Sequence, residues 1–180
     1  MKFTSVFAMI GACVVAAHAA TVATLLNDIA VIGSGASKID ALVQAYPEKN
    51  GTVAGAQDIH NAAAALVTPI KNATANARTI APIPVSDADA TSIVAALNRI
   101  RPPIRRHLPR LTFLLPTFAA LPVKGVPTII LQDLITLNQS TAAFRASVNA
   151  IVPKSFLNQT EDFFKAVASD FNATIAAYSA

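Results

Sequence analysis

Beyond residue 20, the side chains best suited to acid–base chemistry are His60, His107 and two pairs of carboxylates. A general acid or base needs a partner within hydrogen-bond reach, and the two histidines are far apart in sequence. The pairs Asp87/Asp89 and Glu161/Asp162 occur at predicted helix starts, where capping and the helix dipole favour acidic residues. The sequence has no nucleophile elbow, no H-E-x-x-H pair and no phosphate-binding loop. We therefore expect a protein without enzyme activity, cofactor or metal.

A second group of chemically active side chains is a basic cluster with His107 in its midst, formed by Arg99, Arg101, Arg105, Arg106 and Arg110. Nucleic-acid binding would require stacking aromatics among these cations, and the chain has no Trp. Two interpretations remain. The cluster is a solvated basic face, or it contacts anionic head groups, wall polysaccharide or a ligand carboxylate.

The amino-terminal residues predict the compartment. Lys2 precedes an apolar stretch, which is followed by Ala17-His18-Ala19-Ala20, a pattern that signal peptidase accepts. We interpret residues 1–19 as a cleaved signal peptide and residues 20–180 as a single domain. Cleavage would remove the only cysteine, Cys13, so the mature chain would depend on packing rather than on disulfides. A secreted, extracellular protein is expected, with retention in the cell wall as a further option.

Composition favours glycosylation. Hydrophobic residues make up 53% of the chain and charged residues 13%, compared with about 25% charged residues in ordinary globular proteins. Chance placement would give about 1.4 Asn-x-Ser/Thr sequons in this composition. The chain has five, at Asn50, Asn72, Asn138, Asn158 and Asn172.

Apolar residues recur along the mature chain in alternating steps of three and four, which indicates helices packed side by side. Five such runs are predicted, at 22–46, 59–80, 86–104, 127–151 and 157–178. Gly33 and Gly35 in the first run predict a bend or a neighbour at close range. No transmembrane segment is expected in the mature chain, and the segment from Leu108 to Pro127 is too short and too rich in proline to span a bilayer. The expected fold is an all-α, up-and-down antiparallel bundle of about five helices.

Prolines complicate this pattern in the third run. Pro102-Pro103 is expected to interrupt or kink the helix. The segment from Leu108 to Pro127 is interpreted as an irregular connection that either packs on the core or exposes an apolar patch.

Several segments of the chain together resemble the fungal hydrophobic surface-binding protein A family, which includes cell-wall galactomannoproteins. They are Asp28-Ile29 with Ile32, Ile39 and Tyr46, then Ile70 to Thr74, Pro116-Thr117-Phe118, the run from Leu131 to Pro153, and Ile175 to Tyr178. The chain departs from the family pattern at Pro102-Pro103, in the arginine cluster and around Phe113 to Leu115. The resemblance implies secretion by a fungus, adsorption to hydrophobic surfaces and, as in galactomannoproteins, sequestration of fatty acids between helices.

The residues themselves suggest how an alkyl chain would be held. Small core residues could leave space between helices, and each buried CH₂ would contribute about 0.8 kcal/mol. The candidate cavity residues are Leu97, Ile104, Leu108, Phe118, Leu134, Leu137, Phe144 and Phe164, with Arg105 or Lys124 as candidate head-group partners. The open alternative is that these apolar side chains only pack against one another. In a second functional hypothesis, the protein coats a hydrophobic solid or the wall through Leu111 to Leu121 and recruits another secreted protein.

Overall fold

The computed structural model describes residues 20–180, and its regular secondary structure over this range is entirely helical. Five α-helices follow one another along the chain, with a short 3₁₀ turn at Lys154–Phe156 before the last. They are α1 (Val22–Ala45), α2 (Val53–Thr79), α3 (Asp87–Ala119), α4 (Val126–Ile151) and α5 (Leu157–Ser179). The predicted all-α, five-helix fold is thereby confirmed. The predicted signal peptide lies outside the described residues.

Hydroxyl side chains define the starts of the first three helices. Thr21, Thr52 and Ser86 each accept a hydrogen bond from the backbone N–H three residues later, at distances of 3.1 to 3.2 Å. These bonds satisfy donors that a helix start leaves unpaired. The predicted cap at Ser86 is confirmed, whereas α2 begins at Val53, after its cap Thr52 and earlier than the apolar pattern indicated.

Helix α3 continues through Pro102-Pro103, so the interruption that the sequence allowed there does not occur, and the helix includes most of the segment expected to be irregular. Pro102, Pro109 and Pro116 are exposed and recur at intervals of seven residues, so they lie on one side of the helix. Each proline frees a backbone carbonyl one turn earlier. On the solvent side water can bind these carbonyls, and a helix that curves around a core is convex toward solvent.

The opposite side of α3 faces the interior. Its apolar spacing of three and four continues past the prolines, and it places in or against the core Leu97, Ile100, Ile104, Leu108, Leu111, Leu114 and Phe118. Most large apolar side chains of the segment from Leu108 to Pro127 are therefore in the core. Phe113 and Val123 are the exceptions, with 58% and 51% of their surfaces accessible.

The helices form a closed ring in the order α1, α2, α4, α5, α3. Each helix runs antiparallel to the one before it in sequence, as predicted, but some neighbours in the ring are parallel. Gly33 lies beside Ile100 and Asp40 beside Arg106, so α1 and α3 run in the same direction. Consecutive helices α2 and α3 are not ring neighbours. The ring arrangement gives all five helices one side that faces a common interior.

The two glycines of α1 allow close approach of two different neighbours. A Cβ atom at Gly33 would lie 2.6 Å from Ile100 Cγ2, and one at Gly35 would lie 2.6 Å from Leu66 Cδ1. These distances are shorter than van der Waals contact. Of the two predicted roles, close approach is therefore the one the structure shows.

Candidate functional site

The centre of the ring contains a small apolar cavity of about 40 Å³, to which every helix contributes side chains. Its walls include Ile32, Ala36, Leu66, Ile104, Phe144 and Phe164. A second space of about 20 Å³ shares Ile39, His107, Leu137 and Phe171 with the first. A space of this size accommodates about one or two water-sized groups. An alkyl chain can therefore enter the ring only if side chains or helices move outward.

Phenylalanine side chains form one side of the interior. Phe144 of α4 meets Phe164 of α5 edge to face, with 5.8 Å between ring centroids, and Phe163 meets Phe164 at 5.0 Å. All three line the larger cavity and are almost completely buried. Rotation of these rings is the most direct way in which the cavity could expand.

His107 is the polar side chain common to both spaces, and it is 4% exposed. Its Nδ1 lies 2.9 Å from the carbonyl oxygen of Pro103. Because a carbonyl can only accept, Nδ1 donates and carries the ring proton. Burial lowers the pKa of His107 to about 4, although the bond to Pro103 and the negative charge of Asp40 oppose this shift. The imidazole is therefore neutral near pH 7.

The other histidine occupies a different environment. His60 Nδ1 lies 2.8 Å from Asp133 Oδ2 and connects α2 to α4. Burial raises the pKa of Asp133, and the hydrogen bond from His60 partly offsets that effect. Within residues 20–180, no group of three or more His, Cys, Asp or Glu side chains is arranged to hold a metal ion.

Four of the predicted cavity residues, Ile104, Leu137, Phe144 and Phe164, line the larger space, and Leu134 lines the smaller one with Leu137. The other three, Leu97, Leu108 and Phe118, are buried but line neither.

Phe118 instead packs against Tyr46, with ring centroids 4.7 Å apart. Sequence reasoning missed the contribution of α1 and α2 and the position of His107. The apolar stripes of α1 and α2 were visible, but only the order of helices around the ring shows that they face α4 and α5.

Neither predicted head-group residue lines the interior. The Arg105 side chain is 60% exposed, and its Nε lies 3.7 Å from Asp170 Oδ2 on the outside of the ring. Lys124 is exposed in the connection between α3 and α4.

Other members of the arginine cluster hold α3 against α1 and against the connection that follows it. Arg106 Nη2 lies 2.6 Å from Asp40 Oδ2, and Arg110 Nη1 lies 2.8 Å from Glu48 Oε1. The Arg110 guanidinium also lies over the ring of Phe113, 5.0 Å from its centroid. Much of the cluster therefore has partners within the protein.

The seam between α4 and α5 contains a polar network. Glu161 accepts hydrogen bonds from both Arg145 and Asn149, and Thr160 donates to Asn149 at 2.8 Å. The hydrogen bond from Arg145 is the main reason that the pKa of Glu161 is lowered. The interpretation of Glu161 as a residue that stabilises a helix start was wrong, because α5 begins earlier and the carboxylate binds the neighbouring helix.

An open groove outside the ring is the principal alternative site. It lies between α1 and α3 and is lined largely by small side chains, including Ala30, Ser34, Ala95 and Ala96, with Arg99 among them. Its volume is about 620 Å³. The groove is wider than the core cavity but open to solvent, so it offers an alkyl chain less apolar burial.

The predicted glycosylation positions lie at the surface. Asn50, Asn72, Asn158 and Asn172 are exposed, and Asn138 is half-buried. Asn138 Nδ2 donates to Asn172 Oδ1 at 3.1 Å.

Fold and interior together define a ring of five helices around an apolar centre. The chain belongs to the hydrophobic surface binding protein A family, whose sequence pattern matches residues 22–150. A sequence comparison with curated proteins finds no match. None of the described helices has the length and hydropathy to cross a membrane.

Solved structures share this fold. AfMp4p, crystallised with palmitic acid, is 23% identical and has a TM-score of 0.77, over 87% of this chain and 99% of that one. Ligand-binding domain 1 of the Penicillium marneffei MP1 protein, complexed with arachidonic acids, is 15% identical with a TM-score of 0.74, over 86% and 95%. Domain 2 of the same protein, with multiple arachidonic acids, is 12% identical with a TM-score of 0.71, over 87% and 93%.

Proposed function

We propose that this protein binds fatty acids or similar lipids between its helices and also adsorbs to hydrophobic surfaces. The observation that carries the proposal is an apolar interior to which all five helices contribute, in a chain of the hydrophobic surface binding family. Relatives with this fold were crystallised with palmitic and arachidonic acids. A family defined by binding rather than by a reaction supports a non-catalytic role.

The energetics favour an enclosed alkyl chain despite the small cavity. Each CH₂ transferred from water contributes about 0.8 kcal/mol, so a long chain can offset the displacement of several rings. The phenylalanines of α4 and α5 are the side chains whose movement would create the space. The candidate residues that line this interior are Ile104, Leu134, Leu137, Phe144 and Phe164.

Secretion belongs to the same proposal. The amino-terminal pattern, with Ala17-His18-Ala19 before Ala20, is typical of a signal peptide, and four of the five sequons lie on exposed residues. Glycans at these positions would keep a chain with few charges soluble. Retention in a fungal cell wall is consistent with such a surface.

Native mass spectrometry of the deglycosylated mature protein with palmitic acid tests the enclosed site. We expect a mass increment of one or two lipids. Two matched substitutions on α1 locate them: Ala36→Leu fills the core cavity, whereas Ala30→Leu fills the outer groove. Loss of lipid with Ala36→Leu alone supports the interior, provided that circular dichroism shows a folded variant. Loss with Ala30→Leu alone would place the lipid in the groove.

A surface-coating protein without an enclosed ligand, which recruits other secreted proteins, is the second candidate function. The exposed side chains Phe113, Val123 and Ile129 favour it, because they lie at or near the connection between α3 and α4. Depletion of the protein from solution by polystyrene beads measures adsorption. If Phe113→Ser reduces adsorption while palmitic acid never adds mass, the coating function stands and the enclosed site does not.

A further inference from the structure

Among residues 20–180, few polar side chains border either of the two interior spaces, and His107 is the one that borders both. Thr141 lines the larger space and Asp133 the smaller one. Asp133 already accepts a hydrogen bond from His60. If a fatty acid entered the ring of helices, His107 would therefore be the polar side chain within reach of its carboxyl group from both spaces.

The orientation of the imidazole leaves one nitrogen available. Nδ1 is turned back toward its own helix and donates to the carbonyl of Pro103. Nε2, at the far edge of the ring, is directed away from that backbone and makes no hydrogen bond within residues 20–180. With the proton on Nδ1, Nε2 carries a lone pair and can only accept.

Nε2 is not among the fully buried side-chain atoms that lack a hydrogen-bond partner within residues 20–180, so part of its surface borders open space. A polar atom that borders an apolar space has little access to water, and a hydrogen-bond donor placed there stabilises it. A ligand O–H placed between the helices would supply the missing donor. A carboxylate would not, since it offers only acceptors.

We infer that His107 is the interior polar anchor of this protein and that its Nε2 accepts a hydrogen bond from the protonated carboxyl group of a bound fatty acid. The inference rests on the proposed function, because it assumes that the alkyl chain occupies the ring. It assigns the head group to the core rather than to Arg105 or Lys124 at the surface. No covalent step is involved: the acid keeps its proton, and the imidazole stays neutral.

The charged groups near His107 are compatible with this arrangement. Asp40 of α1 acts on it electrostatically but is paired with Arg106, and Asp133 of α4 is paired with His60 of α2. The residues by which α5 lines the two spaces are apolar. Because both carboxylates have partners and no Arg or Lys of residues 20–180 borders the two spaces, the site favours a neutral acid over a carboxylate.

Binding of palmitic acid and of methyl palmitate, compared by equilibrium titration at pH 5.5, tests the inference. The ester has the same alkyl chain and lacks the O–H donor. We expect the wild type to prefer the acid and His107→Leu to weaken acid binding about tenfold, the equivalent of one hydrogen bond, with ester binding unchanged. His107→Gln should keep part of the preference, because its amide oxygen can accept the O–H.

The matched control is His60→Leu, which removes the histidine that pairs with Asp133 and should leave the ratio of acid to ester affinity as in the wild type. If His107→Leu weakens acid and ester equally, His107 serves only packing and the inference fails, while lipid binding stands. If the wild type binds neither ligand, the proposed function fails and the inference fails with it. If His107→Leu does not fold, an acid preference lost in His107→Gln would likewise overturn the inference.

Discussion

Two seams of the ring are built in different ways. Helices α1 and α2 meet where Gly35 receives Leu66, and the buried side of α2 is rich in alanine, with Ala62, Ala63 and Ala73 among its core residues. Helices α4 and α5 meet through large aromatic rings inside and a charged network further out. Small side chains hold backbones close and have little freedom to rearrange, whereas rings can rotate within a frame that polar bonds keep together. From this difference we expect the cavity to expand on the α4–α5 side when a ligand enters.

The largest expected effect on stability comes from removing a phenylalanine ring on the α4–α5 side. Phe164→Ala should lower the free energy of unfolding by about 3–5 kcal/mol, since it removes a fully buried phenylalanine. It should also increase palmitic acid binding, because the space created adjoins the cavity. Urea denaturation and native mass spectrometry measure the two effects. Phe118→Ala is the matched control, equally buried but away from the cavity, and should cost similar stability without a gain in binding. Equal binding gains in both would contradict the comparison.

Acid should destabilise the interior around His107 of α3. The folded-state pKa is lowered to about 4 from an ordinary value of 6.5, so the unfolded chain takes up the proton first. The stabilising contribution is complete above pH 6.5 and decreases as pH falls toward 4, by about 3 kcal/mol in total. Urea denaturation from pH 7 to 4 measures this loss. His107→Leu should flatten that part of the profile, and an unchanged slope would show that other groups cause it.

A smaller effect is expected from the polar network of the α4–α5 seam. Glu161→Gln removes the charge that Arg145 pairs with and should lower the free energy of unfolding by about 1–3 kcal/mol. The matched change on the other side is Asp28→Asn, which alters the bond that Asn76 donates to Asp28 at 2.7 Å across α1 and α2. Asp28→Asn should lower the free energy of unfolding by less than Glu161→Gln does, because packing of small side chains dominates the α1–α2 seam. Equal losses in urea denaturation would remove the distinction between the seams.

The smallest effects separate the two glycines of α1. In a helix interior, the intrinsic propensity of alanine is more favourable than that of glycine by about 1 kcal/mol. At Gly35 the new methyl meets the flexible end of Leu66, which can turn aside, so Gly35→Ala should be about neutral. At Gly33 it meets the β-branched side chain of Ile100, so Gly33→Ala should be destabilising by about 1–2 kcal/mol. Thermal denaturation of the pair checks this order, and the reverse order would refute it.

Local sequence patterns predicted a large part of this structure. The spacing of Ile29, Ile32, Ile39 and Val43 fixed the buried side of α1, and similar spacing did so for the other helices. Ser86 and its acidic neighbours marked the start of α3. The prolines of α3 do not interrupt the helix, because a missing N–H does so only where the freed carbonyl cannot reach another partner, and access of water to those carbonyls depends on the folded ring of helices.

What the sequence determined by itself is the set of helices and the apolar side of each, because three-and-four spacing and capping are local properties of the chain. The tertiary structure decided which helices are neighbours, that Phe144, Phe164 and Ala36 line one cavity, and that His107 borders it. Short connections allow several ring orders, and only the combined packing of all five interior sides selects one. The physical reason is that burial at a site depends on every helix around it, whereas a sequence motif carries information about its own helix only.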